Sequence, residues 1–214
     1  MFVMEKAPKS IDAEAYRSLR SNIEYSSFDE QYRVIVVTSS IPREGKSITS
    51  GNLALSLAQS GNKVLLVDCD MRKPSLHKKF KITNTAGTAE LLLRKKCFED
   101  VAKKHNESLT IITSGKIPPN PAEMLASKSM SAFIEEMKTK YKYIILDTPP
   151  LQAVTDAQVL STKADGVLLV VKAGKVKREL VISSVDLINK VHGKVIGTIL
   201  NGVESSKNNY YYYG

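Results

Sequence analysis

A chain of 214 residues is long enough to bury one sizeable core without disulfide or metal staples, and 43% hydrophobic with 25% charged residues excludes disordered and fibrous classes. The longest uninterrupted apolar run is Val167 to Val171, against the roughly 20 residues that span a bilayer, and the N-terminus turns charged by Glu5 without a signal-peptide stretch. A single globular domain in the cytoplasm is therefore expected. The net charge of +9 suits nucleic acid, an anionic membrane or a polyphosphate. The basic runs Arg72 to Lys81 and Arg94 to Lys96 lack interleaved aromatics, a zinc pattern or a helix-turn-helix signature, so most of these lysines read as a solvated basic face and nucleic acid is not expected as a partner. Cys69 and Cys97 are far apart and support neither a disulfide framework nor a zinc site.

In chain order, residues 11 to 25 repeat apolar Ile11, Ala15, Leu19 and Ile23 every four positions, which predicts an amphipathic helix. Residues 33–38 read as a buried strand, followed by a polar loop and a helix from about Ser47 to Ser60, stopped by Gly61-Asn62. Further buried strands are predicted at 63–68, 109–113, 143–147, 166–171 and 195–200, mostly separated by helical stretches. Buried β-branched runs alternating with helices predict an α/β fold, a doubly wound and mostly parallel sheet flanked by helices, with its site at the strand C-termini. Residues 204–214 lack apolar periodicity, carry the adjacent tyrosines Tyr210, Tyr211, Tyr212 and Tyr213 at their end, and read as a flexible tail.

Ser40-Ile-Pro-Arg-Glu-Gly-Lys-Ser47 follows the first of these strands and opens a helix, the setting of a phosphate-binding P-loop; Ser40 stands where the pattern's first Gly is usual. Phosphates need backbone N–H groups at a helix N-terminus, a lysine on the β/γ oxygens and a hydroxyl on Mg²⁺, which Gly45, Lys46 and Ser47 supply in order. Two acidic motifs end strands: Asp68-Cys69-Asp70, and Asp147-Thr148-Pro149-Pro150, the latter like a Walker B aspartate that serves Mg²⁺. Asp68 and Asp70 alternate along an extended segment, so both fit one side of the strand end, dividing metal and base duties. Adenine is expected over guanine, because Asn189-Lys190-Val191-His192 lacks the final acid of a guanine motif and Thr162 to Asp165 precedes its strand.

Taken together these residues resemble the P-loop NTPase-fold bacterial protein-tyrosine kinases (BY-kinases), specifically the stand-alone kinases of capsular and exopolysaccharide biosynthesis. The matching features are Glu14-x-x-Arg17-x-x-Arg20, Walker A at Thr38 to Ser47, Walker A′ at Leu65 to Pro74, Walker B at Leu146 to Pro150, and the tyrosine cluster. The resemblance implies ATP-dependent tyrosine phosphorylation, of the protein's own tail in trans and of other proteins, in the service of polysaccharide synthesis and export. The phosphoacceptors would be Tyr210, Tyr211, Tyr212 and Tyr213. By position, Ser40, Arg43, Glu44, Gly45, Lys46, Ser47 and Ile48 would hold ATP. Ser47, Asp70 and Asp147 would serve Mg²⁺, and Asp68 would be the base, although Asp68 and Asp70 are interchangeable on sequence alone. Asn201 would meet the adenine, a position at which a lone Asn is equally turn chemistry. Glu14, Arg17 and Arg20 would build a ring-shaped homo-oligomer, a stripe that is otherwise an ordinary intrahelical ion pair. A transmembrane activator would recruit the kinase to the inner face of the membrane. The domain is expected over 1–203 with the tail at 204–214. Ile41 occupies the place where partitioning ATPases of the same superfamily carry an extra lysine, which weighs against that role; a nucleotide-switched basic binding module is the non-enzymatic alternative.

Overall fold

The computed structural model describes residues 2–25 and 31–203. Its strands are β1 (Val34–Ser39), β2 (Val64–Asp68), β3 (Ala102–Lys104), β4 (Leu109–Ile112), β5 (Tyr143–Asp147), β6 (Gly166–Lys172) and β7 (Val195–Asn201). The helices are α1 (Val3–Lys6), α2 (Ile11–Tyr25), α3 (Lys46–Gln59), α4 (Leu76–Phe80), α5 (Thr88–Leu92), α6 (Phe98–Val101), α7 (Pro121–Ala126), α8 (Lys128–Lys140), α9 (Asp156–Ser161) and α10 (Arg178–Asn189). The strands form one sheet in the order β3-β4-β2-β5-β1-β6-β7, parallel at every pairing except β3 with β4. The tail at 204–214, with the expected phosphoacceptors Tyr210, Tyr211, Tyr212 and Tyr213, lies outside the described residues.

Period-two alternation sends successive side chains of each central strand into two separate cores. Val34, Val36, Leu65, Val67, Ile144 and Leu146 pack against Met130, Phe133, Ile134 and Met137 of α8. Ile35, Val37, Leu66 and Ile145 pack against Leu53, Ala54 and Leu57 of α3. Both faces are covered, so these strands read as continuous apolar runs and were legible as such. β3 was not: it is three residues long, carries Lys103 and Lys104, and pairs antiparallel at the edge, where lysines discourage further strand addition.

The predicted helix at 11–25 forms with those bounds, and its predicted stripe is met in the second half, where Ile23 is buried and Leu19 packs against the core, but not in the first. Ile11 is 65% exposed, Ala15 is exposed too, and Ala13 and Ile23 are the buried residues. The reason is polar docking onto α3: Arg20 Nη1 donates to the Ser56 carbonyl at 3.0 Å and the Ser56 hydroxyl donates to the Tyr16 carbonyl at 3.2 Å. Hydrophobic periodicity signals the helix but not these bonds.

A second attachment to α3 comes from the N-terminal turn. Phe2 is buried against Phe80 with ring centroids 4.2 Å apart. The Met4 N–H donates to Asn52 Oδ1 at 3.1 Å, and Gln59 donates to the Met4 carbonyl at 3.2 Å. Gly51, in the middle of α3, sits under the Phe2 ring, and a Cβ there would come within 2.1 Å of Phe2 Cε1. Mid-helix Gly→Ala ordinarily stabilises by about 1 kcal/mol. Here Gly51→Ala should destabilise by about 1–3 kcal/mol through overpacking. In a Phe2→Ala background, itself costing about 3 kcal/mol, the same substitution should become neutral or stabilising. Urea unfolding of the four proteins of this double-mutant cycle checks the reversal of sign.

Candidate active site

β1 runs into the loop at residues 40–45, and α3 begins at Lys46. The loop is shaped by two left-handed residues, Arg43 with φ 68° and Gly45 with φ 99°. Gly45 is required twice over, since a Cβ would also lie 2.1 Å from Asn201 Nδ2. Glu44 is fully buried. Its Oε2 accepts from the Ile41 N–H at 2.6 Å and its Oε1 from the Lys172 N–H at 3.1 Å. Its carbonyl accepts from Asn201 Nδ2 at 2.8 Å. The Glu44 side chain is thus a staple fixing the loop to the end of β6, while its carbonyl ties the loop to β7, a role that residue type and spacing do not reveal. The Asn201 carboxamide is likewise spent on the loop.

Asp68 and Asp147 stand opposite each other at the C-terminal ends of the paired strands β2 and β5. Both are fully buried. Lys46 reaches across to Asp70, Nζ to Oδ2 2.8 Å. Asp68 accepts three backbone N–H groups, from Asp70 at 3.1 Å, Ser75 at 3.2 Å and Leu76 at 3.1 Å, and so organises the turn after β2. Asp147 Oδ1 accepts from the Ser50 hydroxyl at 2.9 Å, while its Oδ2 is buried without a hydrogen-bond partner. Sequence reading passed over Ser50, which lies one helical turn beyond Lys46 and therefore on the same face.

Three carboxylates around one ammonium set the local titration. Burial, then the charge of Asp147, push Asp68 up to about 8 against the opposing Leu76 N–H and Lys46. Burial also raises Asp147, opposed by Lys46, Ser47 and Ser50. For Lys46 burial acts downward, but Asp147 and Asp70 outweigh it and its net shift is upward.

A cavity of about 500 Å³ opens between the loop, the turn after β2 and the segment after β5. Arg43, Gly45, Lys46, Ser47, Ile48 and Asp70 line it, with Pro149, Pro150, Ala153 and Val154 as its apolar side. Ser40, Asp68 and Asp147 lie behind that lining; the Ser40 hydroxyl is buried without a partner. A further residue of this region escaped sequence reading. Arg72 makes a two-pronged ion pair with fully buried Asp156 at the start of α9, at 3.1 and 3.0 Å, locking the turn after β2 to the segment after β5. Glu14 and Arg17 pair on the surface at 2.9 Å, whereas Arg20 turns inward onto α3. Both cysteines are free, and no helix among the described residues is long and apolar enough to cross a membrane.

Residues 32–199 of this structure match a family model described as an AAA domain, which defines a P-loop nucleotide-binding protein. The chain is 45% identical over 209 residues to the tyrosine-protein kinase YwqD of Bacillus subtilis (strain 168), covering 97% of this chain and 88% of that protein. Among solved structures, the kinase domain of the Escherichia coli tyrosine kinase ETK superposes with a TM-score of 0.93 at 32% identity, covering 100% of this chain and 84% of that one. The chimerical protein CapA2B2 gives 0.90 at 37% identity, covering 93% and 88%. The chain belongs to the bacterial tyrosine-protein kinases and is an enzyme of that class.

Two outcomes follow from the site's physics. Glu44→Ala leaves two half-buried N–H groups without their partner and should lower stability by about 1–2 kcal/mol, measurable by urea unfolding, together with weaker nucleotide binding from a loosened loop. Because folding raises the Asp68 carboxyl from its ordinary 3.8 to about 8, the folded protein holds a proton that the unfolded chain has released between those values. In the absence of nucleotide, the stability present below about pH 4 should therefore fall as pH rises towards 8. Asp68→Asn should flatten that fall in urea midpoints recorded at pH 5 and pH 8.

Proposed function

We propose that this enzyme transfers the γ-phosphoryl group of MgATP to tyrosine hydroxyls, the tail residues Tyr210, Tyr211, Tyr212 and Tyr213 in trans among them. The observation that supports this best is the apposition of Lys46 with Asp70, beside Asp68 and Asp147, at the mouth of a lysine-bearing phosphate loop. Backbone N–H groups of Ser40, Arg43, Glu44, Gly45 and Ile48 would cradle the phosphates, and Lys46 would leave Asp70 for the β/γ oxygens. Asn201 would contact the adenine after giving up its bond to the loop.

The residues present fit Mg²⁺. Asp147 Oδ2 is a buried, unpartnered carboxylate oxygen, and Ser47 and Asp70 complete a small oxygen set. No cluster of three or more metal-binding side chains occurs among the described residues, as suits an ion that takes only one or two protein ligands beside phosphates and water. When bound, Mg²⁺ neutralises charge developing on the transferred group.

The acceptor's phenolic oxygen forms the new bond to the γ-phosphorus as the bond to the ADP oxygen breaks, and the phenol proton passes to Asp68. A phenol has pKa about 10, so an upward-shifted carboxylate is a better-matched acceptor than an ordinary one once ionised, and Mg²⁺ nearby would favour that ionised form over the protonated one that the empty site holds below about pH 8. The residues around it do the rest: Lys46 balances charge, and the Asp68-bound amides of Ser75 and Leu76 hold the base in place.

We assign the catalytic unit to residues 1–203 and the substrate tail to 204–214. Glu14, Arg17 and Arg20 would mediate assembly of a ring in which each tail faces the next subunit's site. A separate transmembrane activator of the polysaccharide co-polymerase type would recruit the kinase to the inner membrane face, with polysaccharide synthesis and export as the process regulated. Intact mass after incubation with MgATP, with and without an activator segment, tests the reading. Wild type should gain phosphates on Tyr210, Tyr211, Tyr212 and Tyr213. Lys46→Met should gain none, and Asp68→Asn should be slowed about 10²–10⁴-fold with nucleotide binding retained. ATP hydrolysis with every tyrosine unmodified, activator present, would make the protein an ATPase of the partitioning type instead.

A further inference from the structure

The cavity beside the P-loop is lined by five cations, Arg43, Lys46, Arg72, Lys73 and Lys79, and by one acid, Asp70. Two of these cations are already balanced: Lys46 by Asp70 and Arg72 by Asp156. Arg43, Lys73 and Lys79 have no ion pair or side-chain hydrogen bond among the described residues, so three cations without an acidic partner line the cavity.

Lys73 and Lys79 follow β2, across β1 from the Asn201 end of the site. The sheet order puts β6 and β7, with Lys172 and Asn201, on one side of β1, and β5 and β2 on the other. The Lys73 N–H donates to Asp70 Oδ1 at 3.0 Å, which sets this residue just past the acidic centre, and the Arg72–Asp156 pair holds that turn against the segment after β5. With the base at the Asn201 end, in-line displacement brings the acceptor from the β2–β5 end. There Pro149, Pro150, Ala153 and Val154 offer an apolar wall for a phenol ring, flanked by the unpaired lysines.

We propose that Lys73 and Lys79, with Arg43 at the rim, form an acceptor-side subsite for anionic side chains next to the target tyrosine, either carboxylates or phosphotyrosines already made. The inference rests on the kinase reading and deepens it. The subsite would make a tyrosine cluster a progressively better ligand as it is modified, since each phosphate adds charge beside the remaining hydroxyls.

Binding is the test, because it does not depend on turnover. Peptides with Phe at the acceptor position, flanked by Glu, phosphotyrosine, Ala or Lys, are titrated into the full chain with MgADP, read by fluorescence anisotropy. The Glu and phosphotyrosine peptides should bind about five- to tenfold more tightly than the Ala peptide. That preference should collapse at high salt and in Lys73→Glu/Lys79→Glu, and survive in Lys73→Arg/Lys79→Arg. A stronger preference for phosphotyrosine than for Glu identifies modified clusters as the ligand; equal preference identifies acidic substrates generally. Equal affinity for all four peptides overturns the subsite, as does a preference unchanged by charge reversal. So does a loss confined to MgADP affinity, which would assign the lysines to the nucleotide. Failure of the kinase reading shows separately, as absent transfer to the matching tyrosine peptides.

Discussion

The whole site hangs on gathering three carboxylates at adjacent strand ends around a single ammonium. Parallel pairing of β2 with β5 sets Asp68 opposite Asp147, and the turn after β2 brings Asp70 to Lys46. Such a cluster is costly in the folded state, because like charges in a dry interior repel. It persists because each member is held by something else: Asp68 by three amides, Asp147 by Ser50, Asp70 by Lys46 and the Lys73 amide. Strain of this kind is released when counter-charge arrives, which couples occupancy of the site to the stability of the domain.

Around that centre the molecule invests in fixing α3, the helix whose first residue is the lysine. The sheet underlies it, α2 docks on its flank through Arg20 and Ser56, and Phe2 fits over Gly51. The opposite wall of the cavity is fixed by a different device, the Arg72–Asp156 pair, which spans two connections leaving neighbouring strands. The two walls are thus positioned by different devices, one by apolar packing with backbone-directed hydrogen bonds and one by a buried ion pair.

What the sequence made legible was what is local in the chain. The phosphate motif is a run of eight residues that leaves a strand and opens a helix, and the two acidic motifs each terminate an apolar run, so chemistry and setting could be read together. The central strands and the parallel sheet followed from the same runs. What stayed hidden depends on partners distant in sequence. Asp156 meets Arg72 across 84 positions, and Glu44 meets Lys172 across 128. Gly51 looks like a poor helix residue until Phe2 is placed above it. The inner face of α2 was misjudged at Ile11 and Ala15, because part of its docking is carried by hydrogen bonds, to which hydrophobic periodicity is blind. β3 is too short and too charged to register as a strand at all.

Glu44 has a mechanical consequence. One side chain ties the phosphate loop to the end of β6, and one carbonyl ties it to the last residue of β7, the strand that borders the sheet. On its other side the loop is held by the Gln152 N–H, which donates to the Ser40 carbonyl at 3.1 Å. The cradle is thus slung between two anchors, and a load that bends the border would strain it against the segment after β5 instead of swinging it freely.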